Sequence, residues 1–176
     1  MKTVVTVLLC IRDGEEYMNF FNEMFSKIEK ENKDSISFEY FIYENNSKDK
    51  TKKYIDKFLR NRNGKSLKDD LMFSKMYKNE IKLSRGRHMA RLRNKLKLFH
   101  QELKSDYVLI IDSDVVILPN TIPDLINTIK NDKGNIVMVS PYGMCYDVYR
   151  RKTVGIKGKK KRGRIHYYDS FAVISN

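Results

Sequence analysis

The chain has 176 residues, 41% hydrophobic and 32% charged, enough for one domain with a buried core and too apolar for a disordered segment. Its net charge of +13 is concentrated: nine basic residues and no acidic ones fall between Arg150 and Arg164, and a second basic stretch runs from Arg85 to Lys97. Such a field implies an anionic partner, whether a nucleoside diphosphate, a nucleic acid, or an acidic glycan or lipid surface.

Along the chain, Thr3 to Ile11 is an almost wholly apolar, β-branched run that suits a strand buried on both faces of a parallel sheet. It is too short for a membrane span and lacks a small-residue cleavage site, so no targeting or transmembrane segment is read there and the default location is cytoplasmic. Asp13 and Glu16 have capping-box spacing, and Tyr17, Phe20, Phe21, Met24 and Ile28 form the apolar stripe of a following helix. Ile36 to Tyr43 reads as a second strand closed by the polar turn Glu44-Asn45-Asn46-Ser47. A second helix covers Asp49 to Arg60 and packs through Tyr54, Ile55, Phe58 and Leu59.

No element is assigned to Asn61–Glu80. From Ser84 to Leu103, Met89, Leu92, Leu96, Phe99 and Leu103 fall at helical spacing and mark one buried stripe. Tyr107 to Ile111 is a third strand running into Asp112-Ser113-Asp114. Pro123 suits the first turn of a helix over Ile122–Lys130, Ile136–Ser140 is a fourth strand, and Ser170–Ser175 is the last. The alternation predicts a single-domain α/β fold with a mainly parallel sheet flanked by helices. The chain stops close to an apolar strand, so residues 1–176 read as the N-terminal part of a longer protein or a trimmed chain. Cys10 and Cys145 have no metal-ligand spacing and read as reduced thiols.

In an open parallel sheet, ligands collect at the carboxyl ends of the strands. Three predicted ends carry polar clusters: Arg12-Asp13, Glu44-Asn45-Asn46 and Asp112-Ser113-Asp114. If extended geometry continued past Ile111, alternation would point Asp112 and Asp114 to one side, where two carboxylates can hold a hard divalent cation and leave ligand positions for phosphate oxygens. A solvated acidic turn has the same sequence. Arg87, Arg91 and Asn94 share a helix face, and arginine offers planar bidentate donors to a diphosphate. Glu44 and Asn45 can hydrogen-bond a nucleobase and ribose, or simply form a turn.

These pieces, in this order, resemble GT-A-type (Rossmann-like) glycosyltransferases, particularly family-2-like enzymes, and are similar to fungal capsular mannosyltransferases and giant-virus glycosyltransferase domains. VVTVLLCIRDGEEY resembles the first strand and loop of that fold. FIYENNSKDKT resembles its acidic turn and helix, RGRHMARLRNKL its basic helix, and YVLIIDSDVVI its metal strand. The resemblance implies a metal-dependent transferase using Mn²⁺ or Mg²⁺ and a UDP- or GDP-sugar donor, acting on a glycan or glycoprotein acceptor. By it, Arg12, Glu44 and Asn45 lie near the nucleoside, with Asn45 standing where the family commonly has an Asp. Arg87, Arg91 and Asn94 line the nucleotide-sugar pocket, Asp112 binds the donor and the metal, and Asp114 binds the metal. Asp169 is the candidate carboxylate base. His166 is a weaker candidate metal ligand, and Tyr167, Tyr168 and Phe171 a candidate sugar platform. The glycine- and lysine-rich stretch from Gly143 to Arg164 reads as a loop able to close over the diphosphate.

Two other classes compete. A nucleic-acid-binding module would use the basic loop but lacks interleaved aromatics. A nucleotidyltransferase would want a glycine-rich loop after the first strand, where only Gly14 stands.

Overall fold

The computed structural model describes residues 1–69, 94, 104–132 and 138–139, together with the backbone of strand segments at 145–146, 165–166 and 171–175. The apolar run Thr3–Ile11 is strand β1, and its alternate residues feed two different faces. Val5, Val7, Leu9 and Ile11 enter the main core, while Leu8 and half-buried Cys10 join Phe41, Tyr43 and Val108 on the other side of the sheet. Burial on both faces is what the unbroken apolar run required.

Helix α1 (Glu15–Asn32) covers the main-core face through Met18, Phe21, Met24, Phe25, Ile28 and Asn32. Phe20, assigned to the buried stripe by sequence, is instead 47% exposed. The true stripe is turned toward Met18 and Phe25, because Phe25 stacks edge-on against Phe38 and Tyr40 of the second strand. The capping box is also corrected: Gly14 occupies the cap position and no side chain caps the helix from there.

Strand β2 (Ile36–Asn45) runs two residues farther than expected, so Glu44 and Asn45 lie inside the sheet and not in a turn. Glu44 has ladder partners on both sides, Ile11 on β1 and Lys68 on the next strand, and Asn45 pairs with Asp69 there. Helix α2 (Thr51–Leu59) buries Thr51, Ile55 and Phe58. It leads to strand β3 (Gly64–Asp69), in the segment left without an element. The sequence Gly-Lys-Ser-Leu-Lys-Asp has little β-propensity, and only an edge position beside β2 makes a strand of it.

Strand β4 (Tyr107–Ile111) and helix α3 (Thr121–Asn131), which buries Ile122, Leu125, Ile126 and Ile129, match expectation closely. Short strands β5 (Met138–Val139), β6 (Cys145–Tyr146) and β7 (Ile165–His166) and the longer β8 (Phe171–Ser175) complete the set; β6 pairs with β7 in a separate ladder. The main sheet has the order β3-β2-β1-β4-β8-β5. β3, β2, β1 and β4 are mutually parallel, and β8 runs antiparallel to both β4 and β5.

Candidate functional site

This strand order contains a topological switch. From β1 the chain steps outward through β2 and β3, then returns to place β4 on the other side of β1. The loops leaving β1 and β4 at their carboxyl ends therefore diverge, and the crevice between them is where open α/β sheets bind ligands. The residues at that point are Arg12-Asp13-Gly14 and Asp112-Ser113-Asp114. A methyl group on Gly14 would stand at ordinary contact distance, 3.8 Å, from Ser113 Oγ, so the two loops lie side by side at this point.

The Asp112-Ser113-Asp114 segment is a turn, not a continuation of the strand. Val115 donates its N–H to Asp112 O at 3.3 Å. The expected side-to-side alternation of the two aspartates therefore stops at Ile111. Asp112 is half-buried and Asp114 exposed. The turn is fixed on both flanks, by buried Ile111 and by buried Ile117, whose N–H meets Met24 Sδ of α1 at 3.3 Å. Among the described residues, no group of three or more His, Cys, Asp or Glu side chains is arranged to hold a metal by itself.

Glu44 is fully buried at the β2 tip. One carboxylate oxygen accepts the Ser47 N–H, while Oε2 has no hydrogen bond among the described residues and faces Lys52 Nζ at 3.6 Å. A buried carboxylate costs several kcal/mol unless a cation and hydrogen bonds offset it, and Lys52 supplies the cation. Asn45 beside it is 3% exposed. Arg12 is exposed, its Nε lying 3.4 Å from Asp13 Oδ2. Asn94 is helical and exposed. Arg87, Arg91 and Asp169, and the side chains of His166 and Phe171, lie outside the described residues, as do Tyr167, Tyr168 and most of the basic loop.

Sequence reasoning missed the lacing between the first two loops. Asp13 donates its N–H to Ser47 Oγ at 3.0 Å and accepts the Lys48 N–H at 2.7 Å. Gly14 donates to Thr51 Oγ1 at 2.8 Å, and Glu15 to Asp49 Oδ2 at 3.0 Å. In return Lys50 donates its N–H to Glu15 Oε2 at 3.1 Å. The start of α1 is thus capped by side chains from the start of α2, and the start of α2 by Glu15 together with Asp49, which also accepts the Thr51 N–H at 2.9 Å; neither N-cap residue, Gly14 or Lys50, gives a side-chain cap. Asp13 (φ 47°) and Asn46 (φ 51°) both sit in the left-handed region, where Asp and Asn are the side chains best able to bear the strain. The signal was present in Ser47-x-Asp49-x-Thr51, a run of cap-forming residues with no helix end of their own to explain all three.

Comparison with known proteins fits this geometry. The family described as "Glycosyl transferase family 2" matches residues 29–174, and the chain belongs to it. Among solved structures, residues 1–349 of S. aureus TarS are 19% identical with a TM-score of 0.53, over 76% of this chain and 33% of that one. Its complex with UDP-GlcNAc is 21% identical with a TM-score of 0.50, over 76% and 32%. The mannosyltransferase PcManGT from Pyrobaculum calidifontis, in complex with GDP-Man and Mn²⁺, is 11% identical with a TM-score of 0.56, over 80% and 35%. These likenesses are of fold: this is the GT-A architecture, and the chain spans about a third of the length of each of these structures. No curated protein matches by sequence. No helix among the described residues is long and apolar enough to cross a membrane.

Proposed function

We propose that this member of glycosyl transferase family 2 is the donor-binding domain of a glycosyltransferase. It takes a UDP- or GDP-sugar at the switch between β1 and β4, for transfer to a glycan or glycoprotein acceptor. The observation that carries this reading is the meeting of Arg12-Asp13-Gly14 with Asp112-Ser113-Asp114 where strand order reverses, flanked by the buried Glu44 and Asn45. The chemistry of that edge suits a nucleoside diphosphate. Arg12 offers a guanidinium for a phosphate, and Glu44 Oε2, 3.6 Å from Lys52 Nζ, is an acceptor. The same donors occur in complexes of two structures of this fold, UDP-GlcNAc in TarS and GDP-Man in PcManGT.

The donor set also fits a hard divalent cation. One half-buried and one exposed carboxylate in a single turn can share a cation that keeps its other positions for phosphate oxygens and water. Asp112 and Asp114 would hold Mn²⁺ or Mg²⁺, which supplies neutralisation of the charge that builds on a departing diphosphate. Arg87, Arg91 and Asn94 extend the pocket on the side of the basic helix, Asp169 is the base for the acceptor hydroxyl, and His166 is a further metal ligand in this reading.

Thermal denaturation with UDP and GDP, with and without Mn²⁺, tests the proposal. Saturating nucleotide plus metal should stabilise the chain by about 3 kcal/mol at a hundred-fold excess over Kd. Asp112→Ala and Asp114→Ala should each abolish that response while melting near the wild-type temperature. Equal stabilisation of wild type and both variants would refute the site.

A further inference from the structure

The reciprocal bonds between the first two loops link residues of the proposed donor site beyond the point where the β1–β2 ladder ends. Arg12 is tied to Asp13, Asp13 is tied to Ser47 and Lys48, and Ser47 is tied through its own N–H to the buried Glu44. Neither loop is held in this arrangement by apolar packing: Arg12, Asp13 and Lys48 are exposed and Ser47 is half-buried. The ladder fixes Ile11 opposite Glu44, and beyond it these hydrogen bonds hold the Arg12–Asp13 loop against the Ser47–Lys48 loop. Asp13 holds its place in a left-handed backbone conformation that an ordinary residue avoids.

We propose that Asp13 and Ser47 are positioning residues: they clamp the Arg12–Asp13 loop against the Ser47–Lys48 loop in the arrangement needed to bind a nucleoside diphosphate. The inference rests on the donor-site reading above. It makes a prediction opposite in sign to simple electrostatics. Asp13 is a carboxylate beside the proposed place of a diphosphate, so if charge alone mattered its removal would tighten anion binding. If the clamp matters, its removal loosens it.

The test is calorimetric binding of UDP and of GDP with Mn²⁺ to five variants. Asp13→Ala and Ser47→Ala should each weaken binding about ten-fold, in line with the cost of misplacing a binding group and losing its hydrogen bonds. Asp13→Gly, which keeps the left-handed backbone at no strain but has no carboxylate, should weaken it equally and guards against misfolding of the alanine variant. Asp13→Asn keeps an acceptor for Lys48 and tolerates the left-handed conformation, and Ser47→Thr keeps the hydroxyl; both should bind within about three-fold of wild type. A purely structural role would lower the melting temperature of Ser47→Ala without this split between conservative and disruptive changes. Wild-type or tighter affinity in folded Asp13→Gly and Ser47→Ala overturns the clamp. A wild-type chain that binds neither nucleotide overturns the donor-site reading, and the clamp falls with it.

Discussion

Glu29, Tyr40 and Arg62, toward the amino ends of the strands, and Asp13, Glu44 and Ser47, at the carboxyl ends, are both polar clusters set against the same core, yet they use their hydrogen bonds differently. In the first, side chains satisfy one another. Arg62 donates to Glu29 Oε1 at 2.8 Å, Asn22 Oδ1 at 2.7 Å, Phe58 O at 2.9 Å and Ser26 Oγ at 2.9 Å, and its guanidinium lies 4.2 Å from the Phe58 ring centre. The Tyr40 hydroxyl donates to the same Glu29 oxygen. Burial, reinforced by the Glu29 carboxylate, pushes the Tyr40 phenol well above its ordinary value. In the second cluster, side-chain acceptors take backbone N–H groups, and the charged ends of Arg12 and Asp114 remain toward solvent. The first arrangement locks two helices to a strand. The second fixes a backbone edge and leaves its charges for something else.

That difference can be broken from the first cluster. Arg62→Ala deletes four hydrogen bonds and a ring contact and leaves Glu29 without its cation, so unfolding should become easier by about 2–3 kcal/mol in a denaturant titration. Nucleotide affinity of the folded fraction should be unchanged. A loss of affinity matching the loss of stability would show the two ends to be coupled.

The same end gives a sharper steric case. A methyl group on Gly64 would approach the Tyr40 backbone oxygen to 2.5 Å and Tyr40 Cβ to 2.8 Å. Backbone cannot step aside as a side-chain tip can, so Gly64→Ala should cost about 2 kcal/mol, read by the same titration. The cost falls on the β2–β3 pairing, since Gly64 is the ladder partner of Tyr40.

The fold was legible wherever burial alone dictates structure. β1, β4 and α3 have apolar runs or stripes that permit little else, and their observed bounds lie within a residue or so of expectation. The misreadings share a cause, tertiary pairing that overrides local composition. Glu44 and Asn45 read as turn formers because their partners, on β1 and β3, are distant in sequence or invisible to periodicity. Phe20 and Phe25 are both phenylalanines on one helix, and only the aromatic cluster with Phe38 and Tyr40 decides which is buried. At the candidate site, residue types were legible because acidic and basic groups beside apolar strands stand out. The conformation of Asp112–Asp114 was not, since it depends on a backbone donor that carries no sequence signature, and the acceptors Ser47, Asp49 and Thr51 signalled caps without saying which N–H groups they serve.

The smallest expected effect lies in the laced loops. Partial burial pushes the Asp49 carboxyl up, but the Thr51 hydroxyl and the N–H groups of Glu15 and Thr51 outweigh it and hold the group below the usual carboxylate range. The folded state therefore binds this proton less tightly than the unfolded chain. The stabilisation is complete above the unfolded carboxylate value of about 3.9 and is lost as pH falls through the lower, folded value. Asp49→Asn removes the titration while keeping an oxygen that can accept one of the N–H groups. Its stability at neutral pH should drop by less than in either of the preceding variants. The difference between wild type and variant should shrink when denaturant titrations are repeated on lowering the pH from about 5 to about 3. A gap that stays constant over that interval would mean that Asp49 acts through shape alone, and that its charge has no part in tying the start of α1 to the start of α2.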